Sequence, residues 1–164
     1  MSKSAELTRT VDLPLEKAHQ VASSETYLLT VDEASTSKLM VTDSEREVRE
    51  DGSVYARVVA AREKDDGSPG FSMEQTTEVT PLTGEGFTST TVTPLPKGMG
   101  TMTVVMDYTR DGTRESGDSV TVNAEVIADV GIPLLGGRIA KKLVDSADKT
   151  VDSALERIVR LAAG

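Results

Sequence analysis

The chain has 164 residues and a mass of 17.4 kDa, the size of about one ordinary domain. Its 18 Lys and Arg stand against 27 Asp and Glu, a net charge of −9, and nucleic-acid binders instead carry a basic stripe. There is no Cys, a single His and only 3% aromatic residues. This excludes disulfides, thiolate catalysis, Cys-ligated metals, a three-His site within one chain and a base-stacking platform.

The opening Met1-Ser2-Lys3-Ser4-Ala5-Glu6 is followed by no apolar segment of the secretory type. The longest apolar runs, such as Val58-Val59-Ala60-Ala61, fall far short of the roughly 20 residues that span a bilayer. A cytoplasmic protein with no integral membrane segment is expected.

Residues 5–13 alternate, with Ala5, Leu7, Arg9, Val11 and Leu13 on one face and Glu6, Thr8, Thr10 and Asp12 on the other, a strand period. Pro14 suits the start of a helix, and Leu15, Ala18 and Ala22 give that helix an apolar face. Ser23-Ser24 offers a fresh N-cap for a second short helix around Tyr27-Leu28-Leu29.

From Lys38 to Val130, Thr, Val and Ser dominate and turn signals recur at hairpin spacing. They are Glu50-Asp51-Gly52, Asp65-Asp66-Gly67, Thr83-Gly84-Glu85-Gly86, Pro94-Leu95-Pro96-Lys97-Gly98 and Arg110-Asp111-Gly112. Between them strands are predicted near 38–49, 53–63, 72–80, 86–93, 99–110 and 119–130. The last is the clearest, with Val120, Val122, Ala124, Val126, Ala128 and Val130 on one face. Short connections make an antiparallel meander the natural topology.

The period then becomes helical. Ala140, Val144, Ala147, Val151, Ala154, Ile158 and Leu161 share one face, widened by Ile139, Leu143 and Leu155, which predicts one helix over 139–162. Lys141, Asp145, Asp148, Asp152, Glu156, Arg157 and Arg160 lie opposite. The chain order is therefore one strand, two short helices, a six-strand meander and a long C-terminal helix, an α+β arrangement. A sheet with one apolar face must cover it, and this helix is the only large cover available.

The stretch Val130-Gly131-Ile132-Pro133-Leu134-Leu135-Gly136-Gly137-Arg138-Ile139 resembles the strand-to-helix signature of an actinobacterial family of unknown function. That family lies within the START-like, polyketide-cyclase-like (SRPBCC) superfamily. The hairpin from Gly100 to Val122 and the first strand running into Pro14 are similar too. The resemblance implies one domain over 1–164, the helix-grip fold with a seven-stranded antiparallel sheet curved around the long C-terminal helix, and a cavity for a lipid- or polyketide-like ligand between sheet and helix. The chain departs from the family pattern in having no Trp and in carrying Ala140 where an acid is usual.

The ligand-facing residues expected on this basis are Arg9, Tyr27, Gln75, Met102, Met106, Tyr108, Leu143 and Ala147. Arg9 sits in an apolar strand phase, where it meets a ligand carboxylate, pairs with an acid on a neighbouring strand or is turned outward by a local bulge. Met102, Met106 and Tyr108 share one strand face and suit an adaptable pocket or an ordinary core. Gln75, between Met73 and Thr77, needs a hydrogen-bond partner or a water. His19 reads as a boundary residue. The calcium-loop look-alike from Asp107 to Asp118 lacks flanking helices and a final Glu, and Lys97-Gly98-Met99-Gly100 precedes a strand, so neither is a binding motif. Asp43, Glu45, Glu47, Glu50 and Asp51 form an acidic edge suited to solvation or to a basic partner.

No catalytic residue, metal ligand or cofactor is assigned. The leading expectation is a carrier or sensor that binds a small apolar or amphipathic ligand without covalent change. The rivals are a cyclase- or hydrolase-like enzyme using the same cavity and an interaction domain with a filled core. The sequence leaves the oligomeric state open.

Overall fold

The computed structural model describes residues 2–30, 39–95, 98–110 and 119–163. Strand β1 (Ser2–Val11) leads into two short helices, α1 (Leu15–Ala22) and α2 (Glu25–Leu28). Then come β2 (Leu39–Val48), β3 (Val54–Glu63), β4 (Pro69–Val79), β5 (Gly86–Pro94), β6 (Gly100–Arg110) and β7 (Val120–Val130). Helices α3 (Gly136–Val144) and α4 (Ala147–Ala163) follow. The predicted turn at Arg110-Asp111-Gly112 and the look-alike loop through Asp118 extend outside the described residues.

The strands form a seven-stranded sheet in the order β1-β7-β6-β5-β4-β3-β2, every neighbour antiparallel. The alternation in β7 does what its pattern predicts, since Val120, Val122, Ala124, Val126, Ala128 and Val130 are all 3% exposed or less. Ladder pairing is long everywhere except between β4 and β5, which pair only over 76–79 and 89–92. A bulge between Val41 and Asp43 in β2, and one in β4 between Pro69 and Ser72, opposite Glu63 and Ala61 of β3, fall at the same end of the sheet and bend it there.

Helix α1 follows Pro14 and buries Leu15, Ala18, Val21 and Ala22. Ser24 caps α2, its side chain accepting the Tyr27 N–H at 3.2 Å. The single helix predicted over 139–162 is divided at Asp145-Ser146. There the Ser146 N–H donates to the Leu143 carbonyl, three residues back, at 3.3 Å. The Thr150 hydroxyl donates to the Ser146 carbonyl at 3.2 Å. The three-residue Ser146 bond interrupts the regular ladder, while the Thr150 hydroxyl adds to the ordinary Thr150 N–H bond to the same carbonyl at 3.1 Å. The two segments serve different clusters. Ala140 packs with Ala128 and Val130, whereas Ala147, Val151, Leu155 and Ile158 join the main core.

The glycine-rich stretch before α3 has a steric reason. Gly136 is buried, and a Cβ there would meet the Val130 carbonyl oxygen at 2.8 Å. Its missing side chain lets the helix begin against the end of β7.

Helix α4 packs on α1, α2, β1 and β7. A helix is about 10 Å across, whereas seven strands at about 4.8 Å spacing span roughly 30 Å. One helix therefore shields only part of the inner face. Among the described residues, the part over β3, β4 and β5 has no comparable lid.

Val151 is fully buried at the centre of the covering face. Val151→Asp is expected to lower stability by more than about 3 kcal/mol by burying an unpaired charge. Val159→Asp, on the exposed side of the same helix, is expected to stay within about 1 kcal/mol. Urea unfolding of both variants checks the assignment of the face.

Candidate functional site

Between the uncovered strands and the helices lies a cavity of about 280 Å³. Its apolar wall comes from Leu28, Leu39, Val58, Ala60, Met73 and Ala154. Its polar wall comes from Gln75 and Thr77 on β4, Thr91 and Thr93 on β5, Ser153 and Arg157 on α4, and Tyr27 and Thr30 at α2. The side chains that strands β3 to β5 and helix α4 present here are mostly small or hydroxylated, so they leave the space unfilled. Thr77 and Thr91 satisfy each other across the β4–β5 ladder, hydroxyl to hydroxyl at 3.1 Å. The cavity opens to solvent along β4, where Met73 and Gln75 are exposed.

The expected ligand residues divide. Tyr27 and Gln75 line this cavity. Gln75 needs no buried partner because it stands at the mouth. Met106, Tyr108 and Ala147 are buried in the main core, with Met102 partly buried against it. Leu143 belongs to the smaller cluster around Ala128, Val130 and Ala140. The short range of strand parity explains the split. Parity assigns Met106 and Tyr108 correctly to the inner face, but it cannot say that α1 and α2 cover that end of it.

Arg9 does lie on the inner face, and its partner is a protein acid on α4 rather than on a neighbouring strand. Its Nε donates to Asp152 Oδ1 at 2.8 Å. It lines a separate and larger hollow of about 1030 Å³ between β1 and α4, an open surface groove. Val11, Leu155 and Val159 form its apolar part.

Arg157 is the cavity residue that sequence reasoning missed, because helical periodicity puts it on the polar face. Its guanidinium donates to the carbonyls of Tyr27 at 3.0 Å and Thr26 at 3.3 Å, and to the Thr30 hydroxyl. It also lies over the Tyr27 ring, 5.0 Å from the centroid. The alternation Met73, Gln75, Thr77 and the matching Thr91 and Thr93 are the signals that could have marked the polar floor.

His19 is a boundary residue, as expected. Its Nε2 lies 3.1 Å from the Thr80 carbonyl, and its ring meets Phe87 edge-on at 4.8 Å. On the outer face, the acidic edge of β2 is partly neutralised. Arg57 meets Asp43 at 2.5 Å, Glu74 at 3.2 Å and Glu45 at 3.8 Å. Among the described residues no group of three or more His, Asp or Glu is placed to hold a metal ion, and no helix is long and apolar enough to cross a membrane.

Neither a protein-family model nor a curated protein matches the sequence. Solved structures do. A START superfamily protein from Mycobacterium smegmatis aligns over 96% of this chain and 98% of its own, at TM-score 0.57 and 16% identity. The di-domain ARO/CYC protein BexL, from the BE-7585A biosynthetic pathway, aligns over 96% of this chain and 48% of its own, at TM-score 0.55 and 14% identity. A point mutant of Thalictrum norcoclaurine synthase, solved with a transition-state analogue, aligns over 98% of this chain and 96% of its own, at TM-score 0.56 and 11% identity. At such identities the likeness shows the fold, and that fold is the helix grip.

Two titrating groups give pH signatures. Tyr108 is buried and stacked on Phe87, centroids 4.4 Å apart, and burial pushes its hydroxyl well above the usual tyrosine range, with Tyr27 nearby adding to the effect. Its neutral form is favoured by folding. That contribution is complete below the unfolded-state value of about 10 and is lost as the pH rises beyond it. Melting curves are expected to fall more steeply above about pH 10 for wild type than for Tyr108→Phe.

On the outer face Glu125 sits directly opposite Glu6. A hydrogen bond to Glu6, some desolvation and like-charge repulsion raise the pKa of Glu125. A raised carboxylate costs stability as the pH climbs through its folded value. Glu125→Gln is therefore expected to raise the melting temperature at pH 7 and to have no such effect below about pH 4.

Proposed function

We propose that this protein binds a small amphipathic ligand in the cavity between β3–β5 and helices α2 and α4, and holds it without covalent change. The observation that carries the reading is the cavity itself, a space of about 280 Å³ with one apolar wall and one hydroxyl-rich wall. That composition suits a ligand buried mainly by area and oriented by a few polar contacts. The volume favours a ligand of about ten non-hydrogen atoms, at roughly 30 Å³ for each water-sized group. Within the lipid- and polyketide-like range that the START-like resemblance implies, this supports the small end.

Two observations weigh against the rivals. Among the described residues the cavity lining contains no carboxylate and no histidine, so of these residues a cyclase- or hydrolase-like reaction would have only the Tyr27 hydroxyl as a general acid or base. A filled-core interaction domain would have no such space. The cysteine-free composition fits a reducing cytoplasmic setting.

Native mass spectrometry of freshly purified protein, before and after incubation with an organic extract of the source cells, tests the reading. A stoichiometric adduct is expected in wild type. It should be lost in Ala60→Phe, which puts a ring into the cavity, with little change in melting temperature. A clean apo mass under both conditions would instead favour the interaction domain.

A further inference from the structure

We propose that the cavity selects an anion, namely a small amphipathic carboxylate whose acid group rests on the Arg157 guanidinium. The inference deepens the binding reading above and depends on it. Arg9, Arg49, Arg57 and Arg110 each face a carboxylate of the protein. Arg157 does not, since its partners among the described residues are two carbonyls and a hydroxyl. Neutral acceptors satisfy some of its N–H groups and leave its full positive charge. Its Nε–H has no protein acceptor among the described residues. Among the described residues that line the cavity there is no Asp or Glu to compensate it. In a chain of net charge −9, the one charged side chain among the described lining residues is therefore a cation.

The guanidinium is also preorganised. The carbonyls of Thr26 and Tyr27 hold it, and the Tyr27 ring packs against it. A carboxylate would find it already in place, without the entropy cost of ordering a free arginine. Planar guanidinium and planar carboxylate match in geometry as well as charge. Val58, Ala60 and Met73 in the same cavity provide the apolar surface for the rest of the molecule.

The test uses octanoate, whose size suits the cavity, and 1-octanol, its uncharged counterpart, each titrated calorimetrically into the full chain at pH 7. Wild type is expected to bind octanoate at least about tenfold more tightly than octanol. Arg157→Gln should abolish that preference while octanol still binds. Because Arg157 also anchors α2, a second variant guards against a folding defect. Ser153→Asp places a carboxylate one helical turn from Arg157, where it competes with the ligand's acid group and should erase the preference without touching the α2 contacts. Equal affinity for both probes in wild type would overturn the anion preference and leave the cavity reading standing. So would a preference that survives both variants, or one lost in Arg9→Gln instead, which would place the anion in the groove beside β1. Failure of both probes to bind wild type, together with no adduct from the extract, would overturn the binding reading itself.

Discussion

The apolar face of a wide antiparallel sheet has to be hidden from water, and the helices available to hide it are too few. Everything distinctive in this protein follows from that mismatch. Helix α4 rests on β1 and β7, while α1 and α2 close one end. Under these lids the inner residues are large or tightly packed, such as Tyr108 stacked on Phe87 and Val79 fully buried. Away from them the inner residues become Ala60, Thr77, Thr91 and Thr93. Alanine and threonine lose little by facing a wet space, so the chain tolerates a cavity where it cannot build a core.

Charge is distributed with the same economy. Four arginines of the sheet, Arg9, Arg49, Arg57 and Arg110, meet carboxylates, as Arg57 does with Asp43 and Glu74. Such pairs add little stability at the surface, but they neutralise the sides and edges of the sheet. Among the described residues that line the cavity the pattern is reversed, with hydroxyls, an amide and a single cation in place of ion pairs. Ion-paired walls would already satisfy one another, whereas these walls leave the guanidinium charge for a ligand to meet.

The elements were legible because their signals are local. The six strands of the meander stand close to their predicted positions, since Val and Thr alternate between Gly-containing turns. The meander from β2 to β7 follows from short connections that join neighbours, whereas the pairing of β1 with β7 joins the two ends of the chain and has no local signal. The division at Asp145-Ser146 was not legible, because the apolar stripe runs through it unbroken. Only the hydrogen bonds of Ser146 and Thr150, seen in three dimensions, reveal that one stripe feeds two clusters.

The sequence by itself determined which residues face inward, because alternation and the helical repeat are properties of adjacent positions. It also determined the absence of cysteine chemistry and the acidic character of the whole. Tertiary structure alone decided which inward residues meet space and which meet other side chains. Arg9, pointing inward, is claimed by Asp152 from a helix 143 positions away. Arg157, assigned by periodicity to the polar face, lies beside the cavity because α2 crosses it there. Those outcomes depend on how far a helix extends across a sheet, and no local pattern records that distance.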